Sequence, residues 1–405
     1  MEAAAKAPPD RGESPILAEP LIVAEGAPHR AGLNDRALDL AVCSAALKAA
    51  LPVSLRTALA RAVREMNCYY SNLIEGHDTH PIDIERALKK DYSSDPKKRD
   101  LQIEALAHIE VQAWIDEGGL AHHPLAPASL AEIHRRFCGA LPESLLVASN
   151  PETGERMRVE PGAFRTAFVR VGRHVPPSPG AIPRFLEYIH AGYTRPGRTS
   201  QIIGMACAHH RLAWVHPFLD GNGRVMRMVS HAMARDLVDS DGLWSVSRGL
   251  ARNVDTYKRL LADADSTRRG DRDGRGNLSE AALAAFAEFF LDVSIDQVRF
   301  MSGLIDPARL HDRVLRWTNE EIAAGHLPQK ADVVMRIMLA QGEVERAAVP
   351  PALGLKDRMA RVITAALLEA GALTSEHSRA PLKLAFSPRL APRWMPGLFP
   401  ERPAE

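Results

Sequence analysis

The chain is poor in the residues that build extracellular and membrane frameworks. Four of its 405 residues are cysteine (Cys43, Cys68, Cys138 and Cys207), and no two form a CxxC pair. That spacing argues against a disulfide scaffold and against a zinc site. Thiols in apolar surroundings behave as small hydrophobes, so a reducing, cytoplasmic setting is expected. No run reaches the roughly 18 apolar residues of a membrane-spanning helix, and no membrane partner is expected. Residues 1–30 lack the basic start and apolar stretch of a signal peptide. An excess of one charge is missing too: 51 Lys and Arg against 50 Asp and Glu give a formal net charge of +1. Any nucleic-acid contact must therefore come from a local patch. Aromatics are scarce, at 5%.

What is present suits a soluble helical protein. Apolar residues make up 46% and charged residues 25%, enough for real cores. The length predicts two or three domains. Residues 1–30, rich in Ala, Pro and acidic side chains, are expected to be mobile. A helical region is expected over 31–123, a helical core over 124–265, a helical connector over 266–328 and a winged-helix-like domain over 329–405. The fold class is all-α with a small β-hairpin flap and a C-terminal winged helix. Leu55, Leu59, Val63, Met66 and Tyr70 recur at the spacing of one helix face. Ser54 is placed to cap that helix and Gly76 to stop it. Residues 162–175 are partly alternating, β-branched and aromatic, and predict the flap.

Chemistry concentrates in His216-Pro217-Phe218-Leu219-Asp220-Gly221-Asn222-Gly223-Arg224-Val225-Met226-Arg227. Gly221, Asn222 and Gly223 permit a nest of backbone N–H groups at a helix start, a site for phosphate. Arg224 and Arg227 are three apart and share a helix face. Their planar forks match phosphate oxygens. Asp220 could hold Mg²⁺, which often takes one or two carboxylates plus phosphate oxygens. His216 is the natural general base for a hydroxyl nucleophile. Singly, each feature is more often a turn, a solvated face or a packed histidine. In unbroken order they point to phosphoryl-type transfer.

These residues resemble the Fic family signature, HxFx(D/E)GNGRxxR, at every specified position. The likeness spans about residues 54–261. It implies an all-helical enzyme that uses ATP with Mg²⁺ and joins AMP to a Ser, Thr or Tyr hydroxyl of a target protein, releasing pyrophosphate. His216 would deprotonate the hydroxyl and Asp220 would hold the metal. Gly221, Asn222 and Gly223 would cradle the phosphates. Arg224 would grip the β-phosphate side, and Arg227 the γ-phosphate.

The resemblance extends to Ser71-Asn-Leu-Ile-Glu75-Gly76, which matches the (S/T)xxxE(G/N) inhibitory pattern. Ser71 and Glu75 share a helix face, and Glu75 would pair with Arg227 and exclude the γ-phosphate. Such a glutamate can also direct water for AMP removal, so de-AMPylation stays open beside AMP transfer. A DNA-binding regulator on the same scaffold is a third reading. Phe164, Arg165, Val171 and His174 match the family's target-clamping flap, where an extended target segment would add as a strand. Tyr257 either borders the adenine or is a core tyrosine. His209 and His210 are expected to pack or cap rather than bind a ligand. Lys356, Arg358 and Arg361 lie on the third helix of the winged unit and could face DNA, although Asp357 interrupts their charge. The partners expected are a target protein, a second copy of the chain as substrate or dimer mate, and DNA.

Overall fold

The computed structural model describes residues 7–149, 154–238 and 240–399. Among these, sixteen α-helices and two small antiparallel sheets form the chain.

The N-terminal helices are α1 (Arg30–Ala49), α2 (Val53–Ile74), α3 (Pro81–Leu88) and α4 (Pro96–Asp116). The apolar stripe Leu55, Leu59, Val63, Met66 and Tyr70 is buried along α2. The helix begins after Pro52, one residue ahead of the expected cap Ser54. It ends as expected. Gly76 takes φ +85°, its N–H donates to Leu73 O (3.0 Å), and the His77 N–H donates to Asn72 O (2.9 Å). These two bonds satisfy the last carbonyls of the helix and leave Glu75 at its C-cap. On α4, Asp95 caps the start by accepting from the Lys97 N–H.

The middle of the chain holds α5 (Pro127–Gly139), α6 (Ile182–Thr194), α7 (Arg198–Val215), α8 (Asn222–Val238), α9 (Val246–Arg252) and α10 (Val254–Ala264). α7 is buried almost throughout and packs along α8. The segment expected to be a connector contains α11 (Glu280–Leu304), capped by Ser279. That expectation is corrected: Phe286, Phe290 and Leu291 are fully buried, and α11 packs on α1, α7, α9 and α10. It is a central core helix because its apolar residues cover more than one face.

Two other expectations change. Residues 7–30 are pinned rather than mobile (residues 1–6 lie outside the described residues). Ala18, Leu21 and Val23 are buried. Arg184 Nη2 donates to Asp10 Oδ1 (2.7 Å), Arg211 Nη2 to Pro20 O (2.7 Å) and the Leu278 N–H to Glu19 O (2.8 Å). The flap also differs. The ladder of β1 (Val147–Ser149) and β2 (Arg156–Arg158) precedes the expected stretch, and within 162–175 there is a single bridge, Val171 with His174. Backbone and side-chain groups of that stretch bond to the motif loop instead of to a second strand.

At the C-terminal end α12 (Pro307–Ala323) leads into α13 (Ala331–Gln341), β3 (Glu343–Val344), α14 (Val349–Leu353), α15 (Asp357–Glu369), β4 (Leu373–Thr374), β5 (Leu382–Leu384) and α16 (Ala391–Trp394). The expected run of three helices and two strands is present, with β3 in addition. The sheet order is β3-β5-β4, all antiparallel. Residues 400–405 lie outside the described residues. This unit rests partly on α2: the Phe399 and Tyr69 rings meet edge to face at 6.2 Å, and Arg389 Nε lies 3.4 Å from Glu85.

Candidate active site

The candidate site lies where α7 ends and α8 begins. His216 caps α7 in the left-handed region (φ 49°, ψ 63°), a conformation costly for a residue with a Cβ. The surroundings enforce it. The His216 N–H donates to Leu212 O (3.0 Å), and Arg165 Nε donates to His216 O (2.8 Å). Arg165 Nη2 also donates to Pro177 O (2.6 Å), and its N–H to Pro217 O (2.9 Å). Arg165 is thus a buried strut for the motif loop rather than a residue offered to a target. Phe164 also points inward, with its ring 5.5 Å from that of Phe218. Of the four expected flap residues, Val171 is exposed. His174 Nε2 donates to Trp214 O (2.6 Å).

The loop is held from beneath as well. Asn222 Oδ1 accepts from the Phe218 N–H (2.9 Å), and its Nδ2 donates to Phe218 O (2.8 Å). The side chain therefore ties the loop, leaving the backbone to meet a ligand. Phe218 stacks on His134, rings parallel at 3.9 Å. His134 Nδ1 accepts from the Gly162 N–H (2.8 Å), and Nε2 lies 3.2 Å from Asp220 O. With Nδ1 accepting, Nε2 carries the proton and donates to Asp220 O. Gly221 has φ +77°, a turn that favours glycine. It aims its N–H at Asp220 Oδ1 (2.5 Å).

Each motif arginine has a carboxylate. Arg227 Nη2 donates to Glu75 Oε1 (2.5 Å), its Nε to Ser71 Oγ (2.9 Å) and its Nη2 also to Ser71 O (3.1 Å). Glu75 covers the nest: a Cβ on Gly223 would sit 2.1 Å from Glu75 Oε1. Arg224 Nη1 donates to Glu104 Oε1, and His77 Nδ1 donates to Glu104 Oε2 (2.6 Å). The structure therefore brings together His216, Asp220, Gly221, Asn222, Gly223, Arg224, Arg227, Ser71 and Glu75. Gly76 turns the chain away just after Glu75.

Of its two readings, Tyr257 takes the position of a core tyrosine. It is buried, and its hydroxyl lies 2.8 Å from His209 Nε2. It packs in the core, where the Arg227 and Glu75 charges also act on it. His209 and His210 pack as expected, on Ser230 and Asp265 respectively.

Electrostatics follow the burial. His216 is pushed down to about 4, first by burial and then by the Arg165 and His174 charges, so its ring is neutral and able to accept a proton. Burial works against the charge of Glu75, but Arg227 and then Arg224 hold it below the usual carboxylate range. Asp220 is pushed up by desolvation in the cleft and by Glu75, against the Gly221 N–H. Its side chain is 50% exposed. Among the described residues no group of three His, Cys, Asp or Glu could cage a metal. A single half-exposed carboxylate beside a phosphate nest does suit Mg²⁺, which shares its shell with phosphate and water.

Sequence reasoning missed Glu104, His77 and His134. A signal existed for the first. Glu104, His108 and Gln112 repeat every four residues on α4 and are all buried, a polar stripe inside a helix that reads as apolar. It faces Arg224, Arg227 and His231 on α8. Gln112 Nε2 lies 3.4 Å from His231 Nε2.

Residues 124–234 match the Fic/DOC family model. "Protein adenylyltransferase Fic" of Drosophila willistoni is 28% identical over 184 residues, 44% of this chain and 34% of that protein. The protein of the same name from Drosophila grimshawi is 28% identical over 183 residues, with the same shares. The chain thus matches about a third of the length of these curated relatives. Among solved structures, a Fic family protein from Desulfovibrio desulfuricans G20 has a TM-score of 0.51 at 16% identity, covering 87% of this chain and 96% of that one. Fic-1 (residues 134–508) from C. elegans has a TM-score of 0.51 at 17% identity, covering 69% and 74%. These two similarities show the fold.

Proposed function

We propose, for a chain whose residues 124–234 belong to the Fic/DOC family, the activity of a protein adenylyltransferase held in check by its own Glu75. It moves AMP from ATP to a Ser, Thr or Tyr hydroxyl of a target protein or of itself. The observation that carries this reading is the Glu75–Arg227 pair over Gly223, within an otherwise complete phosphate nest.

The steps follow from the residues. The N–H groups of the loop and of the first turn of α8 receive the phosphates, and Arg224 and Arg227 balance their charge. His216 takes the proton of the attacking hydroxyl. The oxygen–α-phosphorus bond forms, the bond from the α-phosphorus to the bridging oxygen breaks, and pyrophosphate leaves with that electron pair. The depressed proton affinity keeps His216 unprotonated, and a bound triphosphate would raise it toward useful basicity. Asp220 is the residue that would hold Mg²⁺, whose contribution is to neutralise phosphate charge.

Glu75 occupies the guanidinium that a γ-phosphate needs, so wild-type protein would hold ATP in an unproductive pose. The test is the intact mass of the Glu75→Gly protein after incubation with ATP and Mg²⁺. A gain of one AMP, absent when His216→Ala is added, supports the reading; no gain on the protein or on any co-incubated lysate protein overturns it. Release of free AMP from modified protein by the wild type, lost in Glu75→Gly, would assign the reverse reaction instead.

We also read the C-terminal unit as a winged helix, from its helix–strand–helix–helix–strand–strand order. Its α15 exposes Arg358, Met359, Arg361 and Val362, the face a DNA groove would meet. Salt-sensitive DNA retention by the full chain, lost in Arg358→Ala/Arg361→Ala, would support this.

A further inference from the structure

The two arginines of the nest meet their carboxylates in different ways. Glu75 sits at a helix end, its side chain 31% exposed, with a glycine turn directly behind it. It can leave. Glu104 lies inside α4 with its side chain 1% exposed. Each of its oxygens already accepts a hydrogen bond, Oε1 from Arg224 and Oε2 from His77. A buried carboxylate satisfied at both oxygens has no route to solvent and no reason to seek one.

The geometry at Arg224 shows what this pairing does. A guanidinium has five donors in a fixed plane, so fixing one nitrogen fixes the directions of the others. Glu104 takes Nη1. Nη2 then lies on the motif side, 3.7 Å from Asp220 Oδ1. Beneath the plane, the Phe137 ring centroid is 5.3 Å from the guanidinium carbon. His77 joins the loop that follows the inhibitory helix to the same carboxylate.

We propose that Glu104 is the positioning residue for Arg224, a permanent partner that aims the guanidinium at the phosphates, and not a second brake. This rests on the reading of the nest as an ATP site. In that arrangement, removing Glu75 relieves Arg227 of its carboxylate, while Ser71 still holds its Nε. Arg224 stays anchored by one nitrogen and offers the other. At metal sites, loss of the outer partner that orients a ligand costs about 10- to 100-fold in affinity or activity, and the same order is expected here.

The experiment measures ATP affinity calorimetrically in the full-length Glu75→Gly protein, with Glu104→Gln added. The substitution keeps the shape and removes the charge. ATP affinity is expected to fall about tenfold. The same substitution in a Glu75→Gly/Arg224→Gln protein is expected to change affinity little, because the pair is already broken. An equal loss in both backgrounds would mean that Glu104 supports only the packing of α4 on α8, and would overturn the proposal. So would a gain of ATP affinity and AMP transfer when Glu104→Gln is made alone, since that marks a brake. Should Glu104→Gln fail to fold, Glu104→Asp keeps the charge and withdraws it by one methylene; a smaller loss with the same dependence on Arg224 is expected, and no such dependence overturns the proposal. Binding and transfer are read separately. If Glu75→Gly binds ATP but transfers no AMP, the proposed activity fails while the Glu104 measurement stands.

Discussion

Arg224 and Arg227 are one helical turn apart, yet their surroundings teach opposite lessons. Arg227 is held by Ser71 from below and by Glu75 from the cleft side. Its carboxylate lies where a ligand would enter. Arg224 is held by Glu104 from the interior, behind the surface a ligand would touch. Both pairs are Arg–Glu contacts of similar chemistry. Position alone separates a contact that competes with substrate from one that prepares for it. In a buried charge pair, breaking one side leaves the other uncompensated. At Glu75 that uncompensated charge is what a phosphate would seek.

The largest expected effect tests whether the site is live at all. In the Glu75→Gly protein, His216→Ala should lower AMP transfer by about 10²- to 10⁴-fold, the usual contribution of a general base. Retention of radiolabelled AMP on protein measures it. A smaller loss would place the base elsewhere and empty the comparison of meaning. Next comes the brake. Glu75→Gly should raise AMP transfer by about 10- to 100-fold, on the scale of one charge-assisted hydrogen bond removed from competition. Steady-state rates at saturating ATP measure it, and an unchanged rate would make Glu75 an ordinary helix cap.

How much of this could be read from the sequence depended on the distance between partners along the chain. The motif loop was legible because base, carboxylate, nest and arginines are contiguous. Glu75 was legible because Ser71 and Gly76 lie beside it. Glu104 was not, since its partner Arg224 is 120 residues away and a glutamate in a helix is usually solvated. The polar repeat Glu104, His108, Gln112 was the missed sign. The family resemblance places Arg165 in the flap, whereas its guanidinium serves backbone carbonyls that no pattern reveals. Composition predicts mobility for residues 1–30, of which 7–30 are described and pinned. Their partners Arg184 and Arg211 belong to α6 and α7, and carbonyl acceptors carry no sequence signal at all. The helices themselves were legible from periodicity, except that α11 looked like a connector when read without its neighbours.

A further effect concerns the core behind both arginines. His108 is pushed down to about 3, and His134 and His210 to about 4, in each case chiefly by burial. In the unfolded chain a histidine protonates near 6.5. Between pH 6.5 and 4 the unfolded state therefore binds more protons than the folded one. The contribution of these three rings is fully present above about pH 6.5 and falls as the pH drops, opposed in part by Glu65, whose carboxyl burial pushes up to about 7. The melting temperature should decline measurably from pH 7 to pH 5 in both wild type and Glu75→Gly. A flat profile would mean that these rings are not neutral in the folded protein.

The smallest expected effect is the one that separates brake from core. Glu75 is held below its ordinary value of 4.5 by Arg227 and Arg224 despite its burial. It stays ionised, and paired, from pH 6 to pH 8. The sign is that of a depressed carboxylate: the pair is intact above the unfolded value and weakens only as the pH falls through the lower folded one. The ratio of AMP transfer by Glu75→Gly to that by wild type should therefore stay within about twofold from pH 6 to pH 8, since a fully formed charge pair has nothing left to titrate there. Glu75 only raises the proton affinity of His216, which lies at about 4 with the glutamate present, so the ring is neutral across that window in both proteins. A ratio that shrank as the pH fell toward 6 would mean that acid opens the brake. The Glu75–Arg227 contact would then be weaker than its 2.5 Å geometry implies, and the contrast between a removable and a permanent carboxylate would have to be drawn by strength instead of by position.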